Sequence, residues 1–497
     1  MDKKWWTLLA VLAGTFMLLL DVTIVMVAQP DIQRALHASF SDVQWVIDAY
    51  ALTLASLLLT SGVLADRYGR RRLFIIGLGI FTAGSLLCGL ATDPLMLIVS
   101  RCGQGIGGAI IFAVSLALLG NTFRGKERGT AFGAWGAVAG IATALGPLLG
   151  GLITTEWSWR GIFLVNVPVG VLAIAVTIWR VEEFRSPHKT RLDWAGFVLL
   201  TTGLVTFVYG LIRASESSWT DTGVIASLAV GIGALAAFIV VESRIAEPMF
   251  DVSLFRSPTF AGASIAAFAM NGSLYAILLY LVLYLQDVKG YSALDAGVRL
   301  AIISGAQFVT ATAAGKLSHR VPARWLIGPG LLLVGVGLIL MTGLNGASSW
   351  THLVPGFIVA GLGGGLVNPP LASTATSVVP PHRAGMASGI NSTFRQIGIA
   401  AGIAALGSIF TAAMARNLGP ASSNLVTIVK HGGVVPGPAA VAVGNAFAAG
   451  LNDLEIVTGI VALAGAVCAL VLIRPARQAP DRTVSRQVVL NESAKAR

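Results

Sequence analysis

Charged residues are scarce in this chain of 497 residues. Asp, Glu, Lys and Arg together make up 11% of it, whereas soluble domains carry about 25%. Hydrophobic residues make up 55%. This balance argues against a soluble domain and predicts a polytopic membrane protein.

Cysteine is also rare, and the motifs of nucleotide-driven or metal-dependent chemistry are missing. The three cysteines, Cys88, Cys102 and Cys468, all lie within apolar runs, which argues against a disulfide framework. No G-x-x-x-x-G-K-[ST] loop occurs, so the chain does not use ATP through such a site. Neither a catalytic nucleophile and base nor a zinc spacing is found. The sequence therefore predicts no enzyme, no cofactor and no metal site.

The net charge of +11 raises the question of nucleic-acid binding. The basic residues are dispersed among short loops and do not form one patch, so a nucleic-acid partner is not expected. Gly103, Gly105 and Gly108 match G-x-G-x-x-G. They lie inside an apolar run with no strand before them, so they do not predict a dinucleotide site.

Apolar runs of about 20 residues, the length that spans a bilayer as a helix, recur along the whole chain. They lack the alternation of barrel strands, so helices are predicted. We count about fourteen transmembrane helices in an all-α polytopic fold, the first being a retained span and not a signal peptide. Their predicted limits are Trp5–Ala28, Gln44–Leu64, Leu73–Ala91, Leu95–Gly120, Thr130–Thr154, Gly161–Trp179, Trp194–Ile212, Thr222–Val241, Thr259–Leu285, Leu294–Gly315, Trp325–Leu344, His352–Ser373, Met386–Met414 and Leu454–Ile473.

Lys and Arg in the short loops predict the orientation. With a cytoplasmic amino terminus, about 25 basic residues lie inside and about five outside. Both termini are then cytoplasmic in a multi-pass protein of the cell (inner) membrane. The segment 415–453, rich in Gly, Pro and Asn, is predicted to be external. The polar tail 476–497 is predicted to be disordered.

An internal repeat predicts two related halves. Four residues recur at the same offsets near the ends of two predicted helices: Gly62, Leu64, Arg67 and Arg71, then Gly315, Leu317, Arg320 and Arg324. His319 stands where the first copy has Asp66. The predicted domains are a six-helix bundle at 1–185, an inserted helix pair at 186–255 and a second six-helix bundle at 256–475.

Three charged residues lie within apolar helices and form the predicted proton-coupling site: Asp21, Asp48 and Arg101. At 1.5 Å per residue they lie about 12, 7 and 10 Å from the outer ends of their helices. Carboxylates beside an arginine at similar depth favour a proton-titrating site. Two alternatives stay open. The charges form a permanent ion pair that locks the helices together, or Asp48 is merely solvated near the interface.

The basic loop between the second and third helices predicts a cytoplasmic latch formed by Gly62, Asp66, Arg67, Gly69, Arg70 and Arg71. A simpler role as a topology anchor is compatible with it. In the fifth helix, Gly146, Pro147, Gly150 and Gly151 predict a hinge or a tight gating interface, since small residues permit close approach and proline opens a helical hydrogen bond. Ordinary helix packing is the alternative.

Polar and aromatic side chains at membrane depth predict a central amphipathic cavity. Individually, each is more often a packing residue. The predicted set is Phe16, Phe112, Tyr275, Tyr280, Tyr284, Gln307, Asn368, Asn391, Phe394 and Arg395.

Several of these stretches resemble motifs of the fourteen-span drug:proton antiporter branch of the major facilitator superfamily. The loop GVLADRYGRRR is similar to the loop signature of the superfamily, and LDVTIVMVAQP to the first-helix motif of that branch. Arg101-Cys-Gly-Gln104-Gly105 resembles its fourth-helix motif, and GPLLGG at 146–151 the core of its fifth-helix antiporter motif. WSWRGIFLVNVP and DWAG also look like branch signatures.

The resemblance implies a transporter in the lipid bilayer that exports an amphipathic or cationic compound in exchange for protons. It makes Asp21 the first choice of proton acceptor, with Arg101 modulating it. A monomer is expected. Met26 and Gln29 depart from the first-helix motif, which leaves the cargo open. Ala142 and Thr143 replace a Gly-Pro of the fifth-helix motif, which leaves antiport itself open. The alternatives are export of a lipid or a self-made metabolite and, from a different class, a sensor or scaffold that transports nothing.

Overall fold

The structure is a computed structural model that describes residues 2–184, 193–245, 248–318, 320–379, 384–419 and 438–474. Within these ranges the regular structure is helical, without strands. The α-helices are α1 (Lys3–Leu36), α2 (Phe40–Tyr68), α3 (Arg70–Gly89), α4 (Pro94–Thr122), α5 (Gly125–Glu156), α6 (Gly161–Leu164), α7 (Asn166–Arg180), α8 (Trp194–Glu216), α9 (Thr222–Glu242), α10 (Pro258–Met270), α11 (Ala276–Leu283), α12 (Ala293–Leu317), α13 (Arg324–Leu340), α14 (Val354–Ser377), α15 (Ala384–Leu418) and α16 (Pro438–Leu472).

Thirteen helical segments of the described chain are long and apolar enough to cross a membrane. Two of them join shorter elements: α6 and α7 form one segment, and π-helical turns at Asn271–Tyr275 and Tyr284–Val288 make α10 and α11 continuous. The apolar helix α13 is shorter than the others. The prediction of an all-helical membrane protein is confirmed, with about thirteen to fourteen apolar helices.

Local sequence explains where several helices begin. At the start of α2, the Ser39 hydroxyl accepts from the Asp42 N–H at 3.1 Å, and the Asp42 carboxylate accepts from the Ser39 N–H at 2.8 Å. This reciprocal pair satisfies two backbone donors that a helix start leaves open. Asp93 caps α4 in a similar way, with Pro94 in the first turn.

The last helix begins earlier than the sequence predicted. Residues from Pro438 onward are helical, whereas the segment 415–453 was expected to be an external connection. The stretch AAVAVGNAFAAGLND continues the helix because it is rich in alanine, the strongest helix former. The predicted tail at 476–497 and His319 lie outside the described residues.

Helices α1–α7 pack mainly on one another, as do helices α10–α16. We call them the first and second groups. The groups meet where α5 packs along α12, α2 along α15 and α1 against α11. The inserted helices α8 and α9 pack together, and α8 also contacts α2 and α15. Helix α8 therefore lies along one of the seams between the groups.

One end of the interface between the groups is closed. The Thr155 hydroxyl, next to the end of α5, accepts from the Leu294 N–H at 3.0 Å. A side chain on Gly151 would lie 2.6 Å from the Ala293 carbonyl oxygen. The Gln286 amide donates to the Val27 carbonyl at 2.7 Å. We call this the closed end.

Helices α5 and α12 separate toward the other end. Gly136, Gly140, Pro147 and Gly151 share one face of α5, since their spacings approach whole helical turns. Pro147 contacts α12, but a Cβ on Gly136 or Gly140 would meet nothing within 4 Å. On α12, Gly297 touches Pro147, whereas Gly315, five turns on along the same face, also has nothing within 4 Å. The two helices therefore enclose a space that opens at the start of α5, which we call the open end.

Candidate functional site

A buried ion pair joins α1 to α4. Asp21 has no exposed surface and Arg101 is 1% exposed. One Arg101 Nη donates to Asp21 Oδ2, and Arg101 Nε donates to the Val46 carbonyl of α2 at 2.9 Å. The guanidinium also lies over the Tyr50 ring, 4.3 Å from its centroid. The pair therefore ties three helices of the first group together.

Neighbouring side chains complete the hydrogen bonding of this ion pair. Gln104 accepts from Arg101 at 2.8 Å, and its amide donates to Ser85 Oγ at 2.7 Å and to Asp21 Oδ1 at 3.3 Å. Asn166 at the start of α7 donates to the same Asp21 oxygen at 3.4 Å. Both Asp21 oxygens are thus occupied. A buried ion pair is retained only when additional hydrogen bonds of this kind satisfy its remaining atoms.

Gln104 and Asn166 are absent from the predicted site, although both lie in stretches that resemble family motifs. The sequence contains a feature that could have identified each of them. Gln104 follows Arg101 by three residues, which places the two on the same side of a helix. Asn166 is a polar residue at the start of an apolar helix.

Asp48 lies apart from the Asp21–Arg101 pair. Its side chain is completely buried, which excludes the alternative that it is merely solvated. Neither of its carboxylate oxygens has a hydrogen-bond partner among the described residues. One turn earlier on α2, Gln44 donates to the Tyr280 hydroxyl at 3.3 Å and to the Ile403 carbonyl at 3.0 Å. Asp48 is also close enough to Tyr280 to act on it electrostatically. It therefore lies where α2 of the first group meets α11 and α15 of the second.

A further buried carboxylate, Glu455 of α16, was not singled out from the sequence. It has no exposed surface, and both of its oxygens lack partners within the described part of the chain. The Tyr284 hydroxyl, which is likewise buried and unpartnered, is close enough to interact with it electrostatically. Glu455 stands at the edge of its apolar run, only two residues after Asp453, and so resembles an interfacial residue by sequence.

Four of the predicted cavity residues form a polar chain in the second group. Gln307 donates to the Tyr275 hydroxyl at 2.8 Å, and Asn368 donates to the same hydroxyl at 3.5 Å. Arg395 donates to Asn368 Oδ1 at 3.5 Å. Gln307 and Tyr275 line a small cavity together with Thr23 of α1 and residues of α5. This chain brings hydrogen-bonding groups to the space between α5 and α12.

The other predicted cavity residues are packed elsewhere. Tyr280 donates to the Ile403 carbonyl at 2.7 Å, and Asn391 donates to the Ala263 carbonyl at 3.2 Å. The remaining four take part in aromatic or apolar packing: Phe16 in a cluster of the first group, Phe112 against Trp135, Tyr284 against Phe447 and Phe394 against Phe255.

The basic loop between α2 and α3 is held by contacts within the first group. Asp66 accepts from Arg70 at 2.7 Å, and Arg70 also donates to the Ala117 carbonyl of α4 at 2.9 Å. Glu183 accepts from the Arg71 N–H at 3.0 Å and so caps the start of α3. Gly69 has a φ of 109°, a conformation that favours glycine.

The remaining loop residues make fewer contacts. Arg71 also donates to the carbonyls of Thr177 and Ile178 in α7. Arg67 lies over the Tyr68 ring, 5.6 Å from its centroid. A Cβ on Gly62 would meet nothing within 4 Å. The latch residues therefore join α2, α3, α4 and α7 in this state.

The predicted hinge residues face two different neighbours. A Cβ on Gly146 would collide with Thr23, and one on Gly150 would lie 2.7 Å from the Ile24 carbonyl, both on α1. Pro147 and Gly151 face α12 of the second group. The motif therefore packs α5 against α1 of its own group and against α12 of the second group, at the closed end.

Two helical groups that part at one end, with buried charges and a polar chain near their interface, define a polytopic membrane transporter. Residues 11–403 match the Major Facilitator Superfamily, and the chain belongs to that superfamily. It is a multi-pass membrane transporter and not an enzyme.

The chain is similar to drug-resistance proteins along most of its length. It is 38% identical to the multidrug resistance protein Stp of Mycobacterium tuberculosis, over 83% of this chain and 77% of the relative. It is 36% identical to the puromycin resistance protein pur8 of Streptomyces alboniger, over 98% of this chain and 94% of the relative. Its fold is similar to that of a solved bacterial homologue of the human lysosomal transporter Spinster, with a TM-score of 0.65 and 20% identity over 95% of this chain and 98% of that one.

Proposed function

We propose that this protein exports amphipathic antibiotics and related toxic compounds across the bacterial inner membrane in exchange for protons. The observation that carries this proposal is the similarity to the puromycin resistance protein, which extends over 98% of the chain. A space that opens at one end only, between α5 and α12, is the geometry that alternating access requires.

We assign the finer architecture as fourteen spans in a 6 + 2 + 6 arrangement, with both termini in the cytoplasm. The first and second groups are the two bundles. The excess of Lys and Arg in the loops supports this orientation, including Arg124, which immediately precedes α5. The open end, where α5 begins, then faces the cytoplasm, so the structure represents an inward-facing state. Drug enters this space from the cytoplasm or the inner leaflet.

In this cycle we assign Asp48 as a proton carrier, and Asp21 with Arg101 as the scaffold beside it. An ionised carboxylate without a partner is costly inside a membrane protein. Asp48 is buried between the groups at the closed end, so closure of that end favours its protonated form. Opening toward the outside gives Asp48 access to the external proton pool. Exchange is complete when drug that binds in the inward-facing state displaces this proton from Asp48 to the cytoplasmic space. Asp21 stays a predicted second proton acceptor, which acts only if its bond with Arg101 breaks.

The proposed function is tested by puromycin resistance and by efflux of ethidium from cells that overproduce the protein, with and without a protonophore. Resistance above the empty vector and protonophore-sensitive efflux are expected. A membrane-inserted protein that gives neither, and that moves neither compound in proteoliposomes under a pH gradient, contradicts the proposal.

A further inference from the structure

Two carboxylates meet at the base of the inserted helix pair. Asp193 caps α8, and its Oδ1 accepts from the Gly196 N–H at 2.8 Å. Glu242 is the last residue of α9, and its Oε2 accepts from the Phe250 N–H at 3.2 Å. Each acid thus uses one oxygen to hold a backbone group, and Glu242 reaches the segment that leads into the second group.

The remaining oxygens of the two acids converge on one point. Asp193 Oδ2 and Glu242 Oε1 are buried and lack a hydrogen-bond partner among the described residues. A Cβ on Gly196 would lie 2.6 Å from Glu242 Oε1 and in still closer contact with Asp193 Oδ2. Glu242 is only 2% exposed. A buried, unpartnered oxygen of one acid is therefore directed at an equally unpartnered oxygen of the other.

Among the described residues, the charges that act on Glu242 do not neutralise this pair. They come from Asp193 and Asp251, both acidic. No Lys or Arg of the described chain forms an ion pair with Asp193 or Glu242.

The charged groups of α2 and α15, the helices that pack on α8, make their contacts elsewhere. Asp66 pairs with Arg70, and Arg395 donates to Asn368. Asp48 lies at the interface with α11 and α15, and Arg416 pairs with Asp453. Asp42 caps α2, and Arg67 lies over the Tyr68 ring.

Two carboxylates that share a buried site cannot both ionise without strong repulsion, whereas one proton between them supplies a donor and removes one charge. We propose that Asp193 and Glu242 share a proton, and that they form a proton-binding site which closes the base of the inserted helix pair. This site is separate from the transport site. It makes the stability of the inserted helix pair, and of its contact with the second group, depend on pH.

The surrounding contacts connect this site to the second group. Phe250, whose N–H is held by Glu242, stacks on Phe255 with ring centroids 5.6 Å apart. Phe255 in turn contacts Phe394 of α15 at 5.7 Å. Loss of the shared proton would place two negative charges against each other and loosen this path from α9 to α15.

The test is the unfolding of the full-length protein in detergent from about pH 5 to about pH 9, compared with Glu242→Gln. The folded pair retains a proton that unfolded carboxylates have lost at neutral pH. The stability that the shared proton contributes is therefore complete at acidic pH. It falls as the pH rises while only the folded pair keeps its proton, and it levels off once the pair has lost that proton. We expect the unfolding equilibrium constant of the wild type to rise by up to about tenfold per pH unit over that range. Glu242→Gln, which needs no proton, removes most of this slope.

Asp221→Asn is the matched control. Asp221 caps α9 as Asp193 caps α8, accepting from the Gly223 N–H at 2.9 Å. Hydrogen bonds from Arg213 and the backbone lower the pKa of the Asp221 carboxyl. Its contribution is therefore lost only as the pH falls, and Asp221→Asn should keep the wild-type slope between about pH 5 and neutral pH.

Infrared spectroscopy of the wild type provides a second measurement that does not depend on a variant folding. A protonated-carboxyl band that persists at neutral pH and is lost in Asp193→Asn or Glu242→Gln supports the shared proton. Absence of any band sensitive to these two variants, or an unchanged pH slope in Glu242→Gln, overturns it. Stabilisation by added Mg²⁺ with no dependence on pH also overturns it, since a cation would then occupy the site.

Discussion

Asp21 and Asp48 are both completely buried in the first group, yet the hydrogen-bond donors around the two carboxylates differ. Asp21 accepts hydrogen bonds from Arg101, Gln104 and Asn166. Asp48 has no partner among the described residues and lies where the two groups meet. The first carboxylate is held in an ion pair, and the second is buried without a donor among the described residues.

This difference supports two separate roles, a proton carrier and a structural scaffold, for residues that were predicted to form one proton-coupling site. A residue that binds and releases a proton in each cycle must reach water in one state and be buried in another. In the proposed cycle Asp48 meets this requirement, because it lies where the two groups meet. The Asp21–Arg101 pair has its partners within the first group, so the proposed movement between the groups would leave these contacts intact.

The largest expected effect comes from breaking the Asp21–Arg101 pair. Removing one partner of a buried ion pair costs about 3–5 kcal/mol of stability. Asp21→Asn should approach this cost, because it leaves Arg101 charged and arginine cannot lose its proton. Arg101→Gln should cost less, since Asp21 can bind a proton instead. Reversible unfolding in detergent measures both.

The double variant Asp21→Asn with Arg101→Gln is the control for that prediction. It replaces the pair by two neutral amides and should recover part of the stability lost in Asp21→Asn. If Asp21→Asn alone is as stable as the wild type, the pair is not a structural lock.

A smaller effect on stability, but a large one on transport, is expected from Gly151→Ala. The added methyl group would lie 2.6 Å from the Ala293 carbonyl, so the closed end must separate. Gly136→Ala is the matched control on the same helix face, where nothing lies within 4 Å. Spin-label distances between the end of α5 and the start of α12 should lengthen in the first variant only. Equal distance distributions in both variants would show that this contact does not control closure.

The smallest effect on stability is expected from Asp48→Asn. The amide resembles the protonated acid in size and charge, so the free energy of unfolding should change by no more than about 1 kcal/mol. Unfolding at neutral pH measures this. A loss as large as that of Asp21→Asn would indicate that Asp48 is ionised and paired in the folded protein.

Most of the fold follows from the sequence because a membrane leaves few choices. A run of about 20 apolar residues must form a helix, so predicted segments such as Gln44–Leu64 are confirmed as parts of longer helices. The start of α16 could not be predicted from hydropathy. The alanine-rich stretch after Pro438 is only moderately apolar, yet it is helical and precedes the apolar run.

The site was less predictable, because hydropathy identifies buried charges but not their partners. Asp21, Asp48 and Arg101 have similar depths, yet only Asp21 and Arg101 come together. The choice depends on which face of each helix points toward a neighbour, and this is decided by packing. Glu455 was missed for the same reason, since its burial comes from neighbouring helices and not from its own sequence.

The most direct test of the account is drug-coupled proton flux in proteoliposomes that contain the wild type or Asp48→Asn. We expect Asp48→Asn to fold, to bind drug and to let it equilibrate down its gradient, but not to accumulate drug against a gradient when a pH difference is imposed. Wild-type accumulation by Asp48→Asn would contradict the assignment of Asp48 as the proton carrier.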